Sequence, residues 1–349
     1  MTEPSAQAMT TSLKLHEQPE RVASRDAFLK RAGWGSAERR LLAGDASFRR
    51  YDRLTLGGRT AVLMDAPPPH EDVRPFVAVR KILGGLGLSA PELYAADEAQ
   101  GFLLLEDLGD DTYTRLLQRG TDEPMLYRLA VDVLIELAKH IQPKDLQSLP
   151  ALDDARALDE VSRLTEWWWP TVMGAPIPET VLGDYREAWR QVLPRGRRAP
   201  ESIGLFDYHV DNLLWLPKRK GVAACGLLDF QDAVRVPMGF DLMSLLQDAR
   251  RDLKPGLEPE LYDRFVAGLP GLDRASFADA FAVFGAERHS RIIGTFVRLW
   301  KRDGKPAYLV HLPRVWRQLE SALAAPAMAP LKTWFDIHVP RAKRGAITM

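Results

Sequence analysis

Several hydrogen-bond acceptors lie close together in the sequence, on either side of an apolar segment. Asp207 and Asn212 stand five positions apart in FDYHVDN, and Asp229 follows in LLDF at 227–230. Phosphoryl transfer from a nucleotide requires a carboxylate that positions or deprotonates the attacking hydroxyl. It also requires carboxylate and amide oxygens that hold Mg²⁺ against the phosphates. These three residues are of the types that this chemistry needs.

The segment between Asn212 and Asp229 predicts a β-hairpin. LLWL at 213–216 and VAACGLL at 222–228 read as strands, and the polar stretch PKRKG between them reads as the turn. Such a hairpin would return Asp229 to the loop that the chain left at Asn212. Asp and Asn also occur at turns without any chemical role, but the order of loop, strand, turn and strand favours a catalytic site.

The preceding residues predict a small β-rich lobe. A helix is expected from about Ser24 to Gly33, followed by three antiparallel strands, with Gly57-Gly58 as the hairpin turn between the second and the third. Apolar spacing predicts a helix over 73–85, and Phe102–Leu105 reads as a buried strand. We place this nucleotide-binding lobe at residues 25–108, after a disordered lead-in at 1–24.

The remaining residues, 109–349, predict a larger helical lobe that is catalytic and substrate-binding. A long helix is expected from 123, and a late helical segment is expected to break near Gly285 and to end at Gly304. The fold class is therefore α+β and bilobal, and we expect the site to lie between the lobes.

Composition excludes several classes of protein. The 349 residues carry 47 Lys and Arg against 47 Asp and Glu, so no net charge favours nucleic acid or an anionic membrane. Cys225 is the single cysteine, no apolar segment is long enough to span a bilayer, and the first twenty residues lack the features of a secretory signal. We expect a cytoplasmic monomer that binds neither nucleic acid nor membrane.

Motifs of other enzyme classes are missing from the sequence. It contains no P-loop, no G-x-G-x-x-G, no G-x-S-x-G and no H-E-x-x-H, and its seven His residues are not paired at the spacing of zinc ligands.

Three segments together resemble a known family. FDYHVDNLLWL, GLLDFQDA and GFDLMSLLQDARRDL are similar to stretches of the aminoglycoside phosphotransferase family of small-molecule kinases, which have a protein-kinase-like fold. Within that family, the runs at 62–68, 228–233, 241–249 and 298–309 are similar to those of kinases that phosphorylate the C1 hydroxyl of N-acetylmuramate or N-acetylglucosamine in peptidoglycan recycling.

The resemblance implies ATP and Mg²⁺ as cofactors and assigns roles to residues. Asp207 would be the catalytic base, Asn212 and Asp229 the Mg²⁺ ligands, and 44–47 the loop over the phosphates. The backbone of Leu105–Leu108 would hold adenine. The implied nucleotide-binding residues are Gly44, Asp45, Ser47, Arg49, Glu106 and Leu108.

The chain departs from the family pattern at two places. Leu205 and Phe206 stand where His followed by Gly or Arg is usual, and Met64 stands where protein kinases carry a phosphate-binding Lys. We leave three basic residues open as its replacement: Arg49, Arg50 and Lys81.

Substrate-binding residues are harder to assign from the sequence. Arg250 or Arg251 could pair with the carboxylate of N-acetylmuramate, and at most one or two rings of Trp167–Trp169 could stack on a sugar. The predicted substrate contacts are His209, Asp232, Arg250 and Trp168. A kinase for an aminoglycoside, choline or another small alcohol is the alternative enzyme, and a nucleotide-binding pseudokinase is the alternative outside enzymes.

Overall fold

The computed structural model describes residues 15–44 and 48–347, which divide into two compact units. The first unit comprises residues up to Asp122 together with Val210–Asp232. The second comprises Glu123–His209 and the residues from Ala233 onward. The predicted lobe boundary at 108/109 does not include the return of residues 210–232 to the first unit.

The first unit contains a five-stranded antiparallel sheet with strand order β1-β2-β3-β5-β4. Its strands are β1 (Glu38–Gly44), β2 (Arg50–Leu56), β3 (Arg59–Asp65), β4 (Leu93–Asp97) and β5 (Phe102–Leu105). Gly57 and Gly58 form the β2–β3 turn with φ of 56° and 78°, a conformation that glycine adopts without strain. The three predicted strands and the predicted turn are confirmed.

Helices and a second hairpin complete the first unit. The helices are α1 (Pro19–Arg31), α2 (Arg74–Gly85) and α3 (Tyr113–Gln118), and the hairpin consists of β7 (Leu213–Trp215) and β8 (Cys225–Leu227). A single 3₁₀ turn, Val210–Asn212, leads into β7, and Leu214 pairs with Gly226 across the hairpin. The predicted hairpin is confirmed, but its second strand is shorter than predicted, because Gly221–Ala224 forms a 3₁₀ turn before β8.

Helix α1 begins earlier than the sequence pattern predicts. Pro19 occupies the first turn, where its missing N–H costs nothing, and Phe28 and Leu29 pack with Leu54 and Phe102 of the sheet. The predicted lead-in of residues 1–24 is therefore wrong for residues 15–24, and residues 1–14 lie outside the described part of the chain.

The second unit is mainly helical. Its helices are α4 (Glu123–His140), α5 (Pro143–Gln147), α6 (Asp154–Arg163), α7 (Trp169–Met173), α8 (Glu179–Gly196), α9 (Phe240–Leu246), α10 (Leu257–Gly268), α11 (Arg274–Asp303), α12 (Leu312–Leu323) and α13 (Ala329–His338). The second unit also contains a two-stranded antiparallel sheet of β6 (Glu201–Gly204) and β9 (Val234–Pro237). One π-helical turn, Leu164–Trp168, joins α6 to α7.

Helix α11 corrects one expectation. It continues without a break through Gly285 and ends at Gly304, whose φ of 66° caps it. Tertiary packing outweighs the intrinsic cost of about 1 kcal/mol for a helical glycine. A Cβ at Gly294 would lie 2.1 Å from the backbone of Arg163, so glycine permits the close approach of α11 to the π-helical turn.

Within the described residues, no helix is both long enough and apolar enough to cross a membrane.

Candidate active site

A cavity of about 340 Å³ lies within the first unit. Leu42 and Val62 line it from the five-stranded sheet, and Leu214 and Leu228 line it from the β7–β8 hairpin. Apolar side chains from two elements, together with a few polar groups, are typical of a site for a small molecule.

The predicted hinge residues border this cavity. Glu106, Asp107 and Leu108 line it directly after β5 ends at Leu105. The carboxylate of Glu106 is paired with Arg219, and its backbone N–H donates to the Glu92 carbonyl at 2.8 Å. The hinge is thus held at its first residue by side-chain and backbone contacts.

Asn212 and Asp229 also line this cavity. The hairpin register explains this, because Leu213 pairs with Leu227 and the next contact runs from the Leu228 N–H to the Asn212 carbonyl at 2.9 Å. Asp229 follows immediately, with φ of 56°, a left-handed conformation that non-glycine residues rarely adopt. Backbone strain of this kind occurs often at functional sites.

The side chains of Asn212 and Asp229 are suitable ligands for Mg²⁺. The Asn212 amide and the Asp229 carboxylate supply hard oxygen ligands, and Gln231 Nε2 holds Asp229 Oδ1 at 2.8 Å. Among the described residues, no group of three His, Cys, Asp or Glu side chains could hold a metal ion. Mg²⁺ typically takes one or two protein ligands and completes its shell with water and phosphate oxygens, so these two side chains suit it.

Arg49 is the basic residue beside this metal-type site. Its Nη2 lies 3.6 Å from Asp229 Oδ1 and its Nε lies 3.8 Å from Glu71 Oε2. Arg50, by contrast, pairs with Asp52, and Lys81 is exposed on α2. Met64 is buried in β3. Of the three basic residues that the sequence left open, Arg49 is the one with a contact to Asp229, and its replacement of the strand lysine stays a prediction.

Only part of the predicted phosphate loop, residues 44–47, lies within the described residues. Gly44 ends β1, whereas Asp45 and Ser47 lie outside the described residues. Their contact with nucleotide phosphates stays a prediction.

In the second unit, Asp241 holds the loop that carries Asp207. The Asp241 carboxylate accepts the Leu205 N–H at 2.6 Å and the Phe206 N–H at 3.1 Å, and the Asp207 N–H donates to the Leu205 carbonyl. Burial raises the pKa of Asp241 to about 7, although the two N–H donors act in the opposite direction. A carboxylate from α9 thus holds the backbone at Leu205 and Phe206, the two residues that depart from the family pattern.

Phe206 explains how the chain tolerates its departure from the family pattern. Its φ of 76° is a conformation that suits glycine, and it is strained for Phe. The ring of Phe206 stacks on that of Phe240, with centroids 5.6 Å apart. The guanidinium carbon of Arg291, a residue of α11, lies 4.4 Å from the centre of the Phe206 ring. Packing of the aromatic ring offsets a backbone cost of about 1–3 kcal/mol.

The buried Arg288 interacts with the charge of Asp207, and the sequence did not indicate it. Arg288 is 3% exposed and donates to the Gln247 carbonyl at 3.3 Å. Burial lowers its pKa to about 10, against the opposing charges of Asp248 and Asp207, so it stays charged at neutral pH.

Arg250 and Arg251 have different surroundings. Arg251 pairs with the buried Glu123, whereas the Arg250 side chain is 28% exposed and its backbone N–H donates to Asp248 Oδ1 at 2.8 Å. Burial, followed by the charges of Arg250 and Arg288, lowers the pKa of His209 well below its usual range, so this ring is neutral.

Two predicted substrate contacts fare differently. Trp168 is fully buried and its ring lies 5.0 Å from that of Trp316, so stacking of a sugar on Trp168 is wrong for this structure. The π-helical turn that ends at Trp168 places this side chain in the core of the second unit. Asp232 is exposed and stays a prediction.

Comparison with known proteins identifies the family. A model of the phosphotransferase enzyme family matches residues 38–278. The chain is 39% identical to an N-acetylmuramate/N-acetylglucosamine kinase of Caulobacter vibrioides, over 92% of this chain and 97% of that protein. It is 36% identical to a protein of the same name from Pseudomonas aeruginosa, over 86% of this chain and 89% of the other.

Solved structures support the fold. The choline kinase LicA from Streptococcus pneumoniae aligns with a TM-score of 0.59 at 11% identity, over 86% of this chain and all of the other. The predicted fold class and family are confirmed, and the chain belongs to the phosphotransferase enzyme family.

Proposed function

We propose that this protein is an ATP-dependent kinase that phosphorylates the C1 hydroxyl of N-acetylmuramate, N-acetylglucosamine or both. The observation that carries the proposal is the cavity of the first unit, which apolar side chains line together with Asn212 and Asp229, with Arg49 beside Asp229. The names of the relatives at 39% and 36% identity support an amino sugar as the acceptor.

The nucleotide would bind in this cavity with adenine along Glu106–Leu108. Asn212 and Asp229 would hold Mg²⁺, which when bound neutralises charge on the phosphates and on the transferring group. Arg49 would contact the same phosphates and so supply the positive charge that Met64 cannot.

Asp207 would act on the sugar. Its carboxylate orients the C1 hydroxyl and accepts the proton as the oxygen forms a bond to the γ-phosphorus; the bond from that phosphorus to the β–γ bridging oxygen breaks. The products are the sugar 1-phosphate and ADP. The two N–H bonds to Asp241 keep the base-bearing loop in one conformation, which favours a fixed direction of attack.

The charges around Asp207 favour a neutral or anionic sugar over a polycationic one. Arg288 and Arg250 both act on this part of the second unit, and Arg251 is already paired with Glu123. Arg250 would pair with the lactyl carboxylate of N-acetylmuramate.

The test is a substrate panel. The protein is incubated with Mg·ATP and, separately, with N-acetylmuramate, N-acetylglucosamine, kanamycin and choline, while ADP is measured and the phosphate is located by NMR. We expect turnover of at least one sugar with phosphate on C1. Turnover of kanamycin or choline alone would refute the sugar assignment, and phosphate on C6 would refute the anomeric one.

A further inference from the structure

The N-terminal segment contacts the chain next to the proposed phosphate site. His16 is 1% exposed, and its Nε2 lies 3.0 Å from the carbonyl oxygen of Phe48. Its Nδ1 lies 3.1 Å from Asp65 Oδ1 at the end of β3. Phe48 immediately precedes Arg49, so this contact is made one residue away from the proposed phosphate-binding cation.

Both ring nitrogens of His16 face groups that can only accept hydrogen bonds. The Phe48 carbonyl has no proton to donate, so Nε2 is the donor in that hydrogen bond. Nδ1 lies within ion-pair distance of Asp65 Oδ1 but makes no aligned hydrogen bond to it. The Asp65 carboxylate is ionised: burial alone would raise its pKa, but the contact with His16 and the charge of Arg21 hold it below its usual range.

Further contacts extend the chain of interactions to Asp229. The Phe48 N–H donates to Glu71 Oε1 at 2.9 Å, and Glu71 Oε2 lies 3.8 Å from Arg49 Nε. Arg49 in turn reaches Asp229. The Phe48 backbone is therefore held on its carbonyl side by His16 and on its N–H side by Glu71, which also orients Arg49.

We infer that His16 is a positioning residue of the nucleotide site, which fixes the backbone at Phe48 so that Arg49 points at the nucleotide phosphates. This inference rests on the proposed function for the identity of the nucleotide. It assigns the segment before α1 to the phosphate-binding machinery, although that segment lies outside the residues matched by the family model.

A pair of substitutions separates the two contacts of His16. The amide nitrogen of Gln can take the place of Nε2, and that of Asn the place of Nδ1. His16→Gln keeps the donor to Phe48, and His16→Asn keeps only the donor to Asp65. We expect His16→Asn to weaken Mg·ATP binding about tenfold by calorimetry and to raise KM for ATP equally, with kcat within about threefold. His16→Gln should stay within about threefold of the unmodified protein in all three quantities.

Arg21→Gln is the matched control. Arg21 also contacts Asp65, at 2.6 Å, but its contacts do not include Phe48. The Arg21→Gln variant should lower the midpoint of urea unfolding about as much as His16→Asn does. Its Mg·ATP affinity should stay within about twofold of that of the unmodified protein. Equal losses of affinity in the two variants would mean that His16 only packs α1 on the sheet, and would overturn the inference.

Two further measurements test the route through Arg49. Adenosine has no phosphate, so its affinity should not differ between His16→Asn and the unmodified protein. In an Arg49→Gln background, His16→Asn should cause no further loss of Mg·ATP affinity, because coupled residues are not additive. Parallel losses for adenosine, or full additivity, would contradict the positioning role. Unmodified protein that binds Mg·ATP but phosphorylates no sugar would overturn the proposed acceptor alone.

Discussion

The proposed ligand-binding residues of the first unit lie at the end of one hairpin, whereas those around Asp207 in the second unit come from helices far apart in the sequence. Asn212 and Asp229 are adjacent because β7 and β8 pair in a fixed register. The loop of Asp207 depends on Asp241 from α9 and on Tyr208, whose hydroxyl donates to the Ala130 carbonyl of α4 at 2.9 Å.

The two regions should respond differently to substitution of their residues. The cavity of the first unit combines apolar side chains with charged groups from the hinge and from the β7–β8 hairpin. The second unit buries ionisable groups, including Glu287 and Arg288, at the cost of desolvation. Substitutions in the cavity should therefore change ligand affinity, and substitutions around Asp207 should change either turnover or stability.

The largest effect is expected for Asp207→Asn. The loss of a general base lowers turnover by about 100-fold or more, and Mg·ATP affinity should stay within about twofold because the nucleotide cavity belongs to the other unit. Initial rates of ADP formation and calorimetry measure the two quantities. Full turnover in this variant would show that Asp207 is not the base.

Next in size is Asp229→Asn, which removes a charged oxygen ligand from the proposed metal site. The Mg²⁺ concentration for half-maximal rate should rise by about 10- to 100-fold, as is usual when the support of a metal site is lost. Lys220→Gln, an exposed change in the turn of the same hairpin, is the control and should have no effect. An unchanged Mg²⁺ requirement in Asp229→Asn would place the metal elsewhere.

A smaller effect is expected for Leu214→Ala, which removes apolar surface from the hairpin side of the cavity. KM for ATP should rise about fivefold to tenfold, since loss of a buried leucine contact is worth about 1–2 kcal/mol, with kcat unchanged. Leu41→Ala is the control, because Leu41 is exposed on β1 and does not line the cavity. Equal effects in both variants would argue against adenine in this cavity.

The smallest effect on catalysis is expected for Glu287→Gln, which tests the buried charges of the second unit. Burial raises the pKa of Glu287 to about 7, against the charge of Arg291; Glu160 adds to the rise, and Arg288 and Arg163 oppose it. At a pH between the ordinary pKa of Glu and about 7, Glu287 keeps a proton in the folded state and releases it in the unfolded state. The stabilising contribution of this group is therefore lost as pH rises through about 7.

The free energy of unfolding of the unmodified protein should accordingly fall between pH 5 and pH 8, with Glu287 accounting for on the order of 2 kcal/mol of that change. Urea unfolding at several pH values measures it, and the curve of Glu287→Gln should be flatter by that amount. Identical slopes would mean that Glu287 is already ionised in the folded protein.

Features set by neighbouring residues were predictable from the sequence. Gly57-Gly58 specifies a tight turn, Gly304 ends a helix, and the alternation of LLWL, PKRKG and VAACGLL specifies the β7–β8 hairpin. The placement of Asn212 and Asp229 follows from that hairpin, because the distance between them depends only on a short stretch of chain.

Features set by distant residues were not predictable. The sequence predicts that Asp241 caps a helix or braces the loop of Asp207, but it cannot show which N–H groups its carboxylate accepts from. Nor can it show that Arg288 lies close enough to Asp207 to interact with its charge, or that His16 reaches Phe48. Each requires knowledge of which helix faces are buried together. The continuous α11 is a similar case, since the packing of α11 outweighs the local preference of Gly285.

The return of residues 210–232 to the first unit also affects the order in which the protein can be made. The sheet and α1 are encoded in the first 122 residues, but Leu214, Leu228 and both proposed metal ligands come from residues 210–232. A nascent chain therefore cannot form the complete cavity until 232 of its 349 residues have been synthesised. Because a ligand stabilises only the state that binds it, nucleotide should protect late intermediates and the finished protein from proteolysis, but not the first unit of a chain that stops at Asp122.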